Sequence, residues 1–269
     1  DFFVVQDIFL TETAQLADVV LPATCFAEKA GTFTNTERKV QRIRPAVPPP
    51  GEARDDWAIT SALATRMGVP MQYADAEAVF GEISQVTPSY GGISYPRIDD
   101  DGLGWPCPTS DHPGTPVLHI GKFTSGLGKF HAVEFIPPAE TPDEHFPFTL
   151  TTGRLLYHYH TGTMTMKSDD LNERAPECRI EIADSDASRL GIANGEMLSI
   201  RSRRGTIQAR ATLTPAIMPG TVFIPFHFAS AAANRLTHAA LDPVCAIPEL
   251  KVCAVALSPA KMDVAAVNE

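Results

Sequence analysis

Phe2-Phe3-Val4-Val5-Gln6, the polar outlet Asp7 to Thr13, and then Val19-Val20-Leu21-Pro22 make up the stretch whose reading decides the fold class. Two short runs rich in β-branched and aromatic residues flank a span that has room for a loop, Asp7–Thr13, and a short helix, Thr13–Ala17. Strand, short helix, strand is the rhythm of a parallel α/β sheet, because parallel neighbours need a crossover and not a tight hairpin. An apolar run without alternation reads as a strand covered on both faces. A chain that opens on such a strand, with neither an initiator Met nor a signal-peptide pattern, is expected to be cut from something longer.

Working outward, residues 31–51 are polar and basic, carrying Arg38, Lys39, Arg42 and Arg44 and closing on Pro48-Pro49-Pro50-Gly51, so they read as a long excursion outside the sheet. Asp55 or Asp56 can cap a helix bearing Trp57, Ile59, Leu63 and Met67 and closed by Gly68. Asp75 can cap another with Val79, Ile83 and Val86 on one face. Residues 87–142 are dense in Gly and Pro and weakly periodic, which reads as a surface connection and puts a domain boundary near Pro142. Beyond it the texture turns to short strands at Phe146–Thr151, Met197–Arg201, Thr206–Leu213, Thr221–Pro225 and Val252–Leu257. Ser202-Arg203-Arg204-Gly205 is a hairpin turn with solvent-exposed arginines, and Asp184–Leu190 is a short helix capped by Gly191. Strands at this spacing suggest a compact β-barrel, giving an α/β domain over 1–142 and a β domain over 143–269.

With 269 residues, 44% hydrophobic and 20% charged, the chain can bury a large core and is not intrinsically disordered. No apolar stretch approaches the roughly 20 residues of a membrane span. The formal net charge of −10 argues against a nucleic-acid binder, which needs a basic surface. Cys25, Cys107, Cys178, Cys245 and Cys253 never fall at metal-ligand spacing, so neither a cluster nor a disulfide framework is expected, and a reducing, cytoplasmic setting is.

Three blocks carry a resemblance. Gln6 to Ala14 with Ala17-Asp18-Val19-Val20-Leu21-Pro22, then Glu28-Lys29-Ala30-Gly31-Thr32-Phe33-Thr34-Asn35-Thr36-Glu37-Arg38, then Gly51-Glu52-Ala53-Arg54-Asp55-Asp56-Trp57, closely resemble molybdopterin oxidoreductases in order and spacing. The second half resembles that family's C-terminal cofactor-capping domain, through Thr151-Thr152-Gly153-Arg154-Leu155-Leu156-Tyr157-His158-Tyr159-His160-Thr161-Gly162-Thr163-Met164-Thr165 and Pro248-Glu249-Leu250-Lys251-Val252-Cys253-Ala254-Val255. Pro225-Phe226-His227-Phe228 and Ala233-Asn234-Arg235-Leu236-Thr237 also fit. Tyr90-Gly91-Gly92-Ile93-Ser94-Tyr95 and Trp105-Pro106-Cys107-Pro108 look more like formate dehydrogenases than nitrate reductases. The resemblance implies a partial parallel, Rossmann-like α/β domain followed by a double-psi β-barrel. It also implies a bis(molybdopterin guanine dinucleotide) cofactor of molybdenum or tungsten. Any 4Fe-4S cluster, and the residues that touch the metal, would belong to an N-terminal part absent here, so no catalytic or metal-ligating residue is expected in this chain.

On that resemblance, Asp7 would meet guanine or a ribose hydroxyl and Thr11 a phosphate or sugar oxygen, since ligands bind beyond the carboxyl ends of parallel strands. Asp7 reads equally as a helix cap, as does Asp56, and Arg38, Arg42 and Arg44 read as a solvated face or as an interface to the absent part. The segment from Thr152 to Thr165 is poor core material and good lining for a polar ligand. Thr152, Thr161, Thr163 and Thr165 offer hydroxyls, Gly153 and Gly162 allow close approach, and Arg154 presents a planar fork suited to pyrophosphate. Met164 belongs to the same cofactor-binding set. His158 and His160 would donate to the pterin or else serve the structure. Phe228 would pack on the pterin or in the core, and Asn234 and Thr237 share a face if helical. Lys251 would neutralise a phosphate or stand exposed at a strand end.

The function so implied is part of a formate dehydrogenase oxidising formate to CO₂, the fragment alone being inactive. Iron–sulfur or flavin subunits would be its electron-transfer partners. A nitrate reductase of the same superfamily and a non-catalytic dinucleotide-binding module are the alternatives.

Overall fold

In the computed structural model, which describes residues 1–260, the opening stretch forms a parallel pair, β1 (Val4–Asp7) beside β2 (Val19–Pro22), with Asp7 opposite Pro22. The helix between them, α1 (Glu12–Gln15), is a single turn, and the Thr11 hydroxyl caps it by accepting the Ala14 N–H at 3.1 Å. These strands are not buried. Phe2 is 75% exposed and Val4 44%, and among the described residues the sheet has two strands. A one-residue parallel bridge between Ala23 and Arg54 follows the pair.

The basic excursion contains strands after all. β3 (Gly31–Thr34), β4 (Lys39–Ile43) and β5 (Leu103–Gly104) form a three-stranded antiparallel sheet, separate from the first. Helices α2 (Asp56–Arg66) and α3 (Ala76–Val86) stand where capping signals put them, and Asp75 accepts the Ala78 N–H at 2.8 Å. The Gly- and Pro-rich stretch is not purely superficial. Ile93, Tyr95, Ile98 and Cys107 are buried with Val40 and Phe80. Glycine makes this possible: the Gly92 N–H donates to the Cys107 carbonyl at 2.7 Å, and a Cβ at Gly92 would lie 1.9 Å from the Thr109 carbonyl oxygen. This unit runs from Asp1 to His131.

The second unit, from Ala132 onward, is a closed six-stranded barrel. Its strands are β6 (Phe148–Gly153), β7 (Arg179–Ala183), β8 (Met197–Arg201), β9 (Thr206–Thr214), β10 (Thr221–Pro225) and β11 (Cys253–Pro259). Around the barrel the order is β10-β6-β11-β8-β9-β7, with β6–β10 and β7–β9 parallel and the other neighbours antiparallel. Inward positions alternate along each strand, so Phe148, Leu150, Ile180, Ile182, Leu198, Ile200, Ala209, Val222, Ile224 and Val255 make one core. Helices α4 (Asp169–Arg174) and α5 (Asp184–Leu190) decorate it. The latter ends on Gly191 at φ +67°, the left-handed cap that glycine adopts most cheaply. Arg203 and Arg204 are exposed, as a hairpin turn implies, and both ion-pair with Glu140, whose side chain is 10% exposed.

Candidate functional site

In the first unit the chain gathers polar groups at the carboxyl ends of β1 and β2. Asp7 is half-buried there and its carboxylate accepts the Phe9 N–H at 2.9 Å, closing a turn and not capping a helix. Thr11 holds α1. Asp55 precedes α2 and accepts the Thr24 hydroxyl at 2.9 Å and the Trp57 indole N–H at 3.2 Å. Asp56 lies inside the first turn and is no cap: it pairs with Lys29 and accepts the Gln6 amide at 2.7 Å. Burial pushes the Asp56 carboxyl up, but hydrogen bonds from Lys29 and Gln6 outweigh burial and hold it below the ordinary carboxylate range. Its neighbour is a cavity of about 290 Å³ lined by Lys29, Phe33, Asp56, Trp57, Phe80 and Tyr95 among others. Arg42 and Arg44 converge on Asp99, and Arg38 donates to the Trp105, Thr115 and Pro116 carbonyls, so these arginines tie unit one together.

In the second unit the barrel topology brings the expected residues to one rim. Parallel pairing sets Gly153 opposite Pro225, so the chain leaves β6 and β10 at the same end. Antiparallel β11 begins at that end, with Cys253 opposite Leu150. The rim therefore carries the loop after β6, the Phe226–Thr237 connection and Lys251. Between Gly153 and a 3₁₀ turn at Thr165–Lys167 the loop has no regular structure.

Side chains on the rim divide by what they touch. Arg154 is exposed, with its guanidinium 3.5 Å from His160 Nδ1 and 6.0 Å from the Phe226 ring centre. His160 is exposed at φ +49°, and the exposed Thr161 and Thr163 hydroxyls bond to each other at 2.9 Å. Met164 is 41% exposed. These groups face outward and have capacity left for a ligand.

A second set is committed to the barrel itself. Thr152 is buried, and its hydroxyl donates to the Leu250 carbonyl at 2.8 Å. The Lys251 ammonium donates to the Thr152 carbonyl at 2.7 Å, so it is a strand-end tether. Gly153 is demanded by packing, since a Cβ there would come 2.5 Å from the Phe223 ring. His158 is 2% exposed, with Nδ1 at 3.2 Å from the Thr165 hydroxyl and Nε2 at 2.9 Å from the Ala175 carbonyl, so both nitrogens are used. Phe228 is a core residue, its ring 4.1 Å from that of His227. Asn234 is exposed on a short 3₁₀ turn and Thr237 donates to its carbonyl at 3.2 Å, in a stretch that packs against the 202–205 hairpin through Arg204 and the Leu236 carbonyl.

One side chain of this rim escaped the site reading. His227 is 7% exposed and neither ring nitrogen has a partner among the described residues. Burial, and then the neighbouring His158, hold its imidazole below the ordinary histidine value, in the neutral form. Its place one residue past the Pro225-Phe226 strand end, beside the loop after β6, was the available signal. The cysteines offer no nucleophile in the barrel: burial pushes the Cys178 thiol up to about 12 and the Cys253 thiol up to about 11. Among the described residues no group of three or more His, Cys, Asp or Glu is placed to hold a metal ion, and no helix is long and apolar enough to cross a membrane.

Two family models match the chain, molybdopterin oxidoreductase over residues 1–66 and molydopterin dinucleotide binding domain over residues 148–254. The F420-dependent formate dehydrogenase subunit alpha of Methanocaldococcus jannaschii is 56% identical over 95% of this chain and 38% of its own length. The F420-dependent formate dehydrogenase 2 subunit alpha of Methanococcus maripaludis is 52% identical over the same shares. The assimilatory nitrate reductase catalytic subunit of Bacillus subtilis is 41% identical over 96% of this chain and 38% of its own. The chain thus spans about 38% of the length of these curated relatives. Among solved structures, acetylene hydratase from Pelobacter acetylenicus aligns with a TM-score of 0.70 over 97% of this chain and 40% of its own, at 19% identity, a likeness of fold alone.

Proposed function

Because the chain belongs to the molybdopterin oxidoreductase family, we propose that it is the C-terminal part of a formate dehydrogenase catalytic subunit and that its barrel binds and buries a molybdopterin guanine dinucleotide. The observation that carries this reading is the rim of the barrel: an irregular loop with an exposed arginine fork and exposed hydroxyls bonded only to each other, in a chain more than half identical to formate dehydrogenase alpha subunits. The residues present fit such a group. Arg154 suits a pyrophosphate, and Thr161, Thr163 and Asn234 suit sugar and pterin edges. Asp56 keeps acceptor capacity beyond Lys29 and Gln6, beside an apolar-walled cavity, which suits a purine edge. Asp7 and Thr11 offer their remaining lone pairs at the same strand ends.

When bound, a bis(molybdopterin guanine dinucleotide) cofactor of molybdenum or tungsten supplies the metal centre at which formate is oxidised to CO₂. The work of this chain's own residues is to hold the dinucleotide, orient it and exclude water. Thr152, Gly153, His158, Thr165, Phe228 and Lys251 serve that work indirectly, by fixing the rim from which the exposed groups project. On this reading the barrel is of double-psi type, the β1–β2 pair is one edge of a Rossmann-like sheet, and the two domains are 1–142 and 143–269. The open apolar faces of β1 and β2 support a larger sheet completed by the rest of the subunit, where a 4Fe-4S cluster would sit. Electron-transfer subunits and a cytoplasmic location complete the proposal.

A nitrate reductase is the second reading, favoured by the Bacillus subtilis relative at 41% identity. The full-length catalytic subunit, purified with its partners, separates the two when assayed for formate-driven reduction of an artificial acceptor or F420 and for nitrate reduction. Formate turnover without nitrate turnover is expected; the reverse overturns the proposal.

A further inference from the structure

Behind the outward face of the loop after β6 lies a polar side chain with nothing to bond. His227 is 7% exposed, and both ring nitrogens are buried without a partner among the described residues. Its ring centre is 4.8 Å from that of His158 and 4.1 Å from that of Phe228. The loop crosses it at Gly162. The residue is at φ +75°, which favours glycine, and a Cβ there would press on the flexible Met166 side chain at 2.8 Å and reach ordinary contact with His227 Cδ2 at 3.5 Å. What that glycine permits is close approach of loop backbone to the imidazole. His158 shows the contrast: with both nitrogens engaged, it already ties the loop at Thr165 to the Ala175 carbonyl. A buried imidazole without partners is unfavourable, and an apolar ring would fill the same space without that cost.

We propose that His227 is a positioning residue for cofactor retention, forming a hydrogen bond with the backbone of the Tyr159–Thr163 turn when that turn closes on the dinucleotide. The inference rests on the proposed dinucleotide site. The turn already contains one internal backbone bond, from the Gly162 N–H to the Tyr159 carbonyl at 2.9 Å, and the groups that would meet the ligand, His160, Thr161 and Thr163, stand on it. A small inward movement of the turn therefore couples ligand contact on its outer side to the imidazole on its inner side. The neutral form favoured for His227 supplies one N–H donor and one acceptor nitrogen, so either a loop carbonyl or a loop N–H can be matched.

The test uses the full-length holoenzyme with His227→Phe, which keeps a buried ring and removes both nitrogens, and His227→Gln, which keeps a donor and an acceptor. Two readouts are taken: the rate of loss of pterin guanine dinucleotide on dilution, and hydrogen exchange of the 159–166 amides with and without cofactor. In His227→Phe the cofactor should leave about tenfold faster, a factor in the range expected for one lost buried hydrogen bond. The holoenzyme turn should then exchange as fast as in the cofactor-free protein, while β8 and β9 amides are unchanged. His227→Gln should recover most of both effects. Retention and turn protection within twofold of wild type in His227→Phe, or equal damage in both variants, overturns the role of His227 and leaves the site reading standing. Should His227→Phe fail to fold, turn exchange in the wild type that is indifferent to cofactor overturns it as well. Wild-type enzyme that carries no pterin guanine dinucleotide overturns both.

Discussion

Glu140 lies outside every strand and helix, and replacing it with Gln is expected to loosen the barrel in a pH-dependent way. Its carboxylate accepts Arg204 Nη2 at 2.5 Å and Nη1 at 3.1 Å, the Ala254 N–H at 3.1 Å, and Arg203 Nη1. Burial alone pushes this carboxyl up, but the Arg204, Ala254 and Arg203 donors outweigh burial and bring it from 4.5 down to about 2. At roughly 1.36 kcal/mol per unit, that difference corresponds to about 3 kcal/mol of stability. Arg203 and Arg204 are 40% and 29% exposed, so solvent screening lowers the expectation to about 2 kcal/mol. The folded value lies below the unfolded one, so the contribution is complete well above 4.5 and is lost as pH falls from 4.5 towards 2. Urea unfolding of wild type and Glu140→Gln at pH 7 and pH 3 reads this directly. The gap should be about 2 kcal/mol at pH 7 and less than about half of that at pH 3. A gap under about 0.5 kcal/mol at neutral pH, the size of an ordinary surface change, or one that does not shrink in acid, would refute the assignment.

Gly92→Ala should disrupt the first unit by about 3 kcal/mol or more, because the new Cβ meets a backbone carbonyl at 1.9 Å and not a side chain able to swing away; native near-ultraviolet signal from Trp105 retained at wild-type urea concentrations would contradict it. The double change Thr161→Val with Thr163→Val should leave unfolding within about 0.5 kcal/mol, since these hydroxyls bond only each other. In the full-length subunit it should weaken dinucleotide retention about fivefold or more, and a lowered midpoint with normal cofactor content would make both residues scaffold. Lys251→Met should cost about 1 kcal/mol through the lost bond to the Thr152 carbonyl, with cofactor retention near wild type. Lost cofactor at unchanged stability would instead restore a phosphate contact.

The barrel was legible because its strands carry their own evidence: alternating apolar residues, a turn of Ser, Arg and Gly, and Gly191 after a short helix are all local signals. The alternation also held information about the site. Phe148 and Leu150 point inward, so Thr152 must as well, and its hydroxyl was never free to reach outward. β7 and the residue before it show the same signal in Cys178, Ile180 and Ile182, hidden because the strand runs straight into the helix at Asp184. What local pattern cannot carry is the identity of a distant partner. Arg203 and Arg204 occupy a turn and are exposed there, as they read, but nothing local names their partner Glu140, more than sixty positions away. The apolar character of β1 and β2 signals a buried strand, but burial also depends on what packs on each face, and Phe2, Phe3 and Val4 remain exposed among the described residues. The same limit separates His158 from His160. They lie two apart on a loop with no period, where nothing in the sequence orders one inward and the other outward. It is the parallel pairing of β6 with β10 that sets Phe228 and His227 beside the loop and so decides which histidine is enclosed.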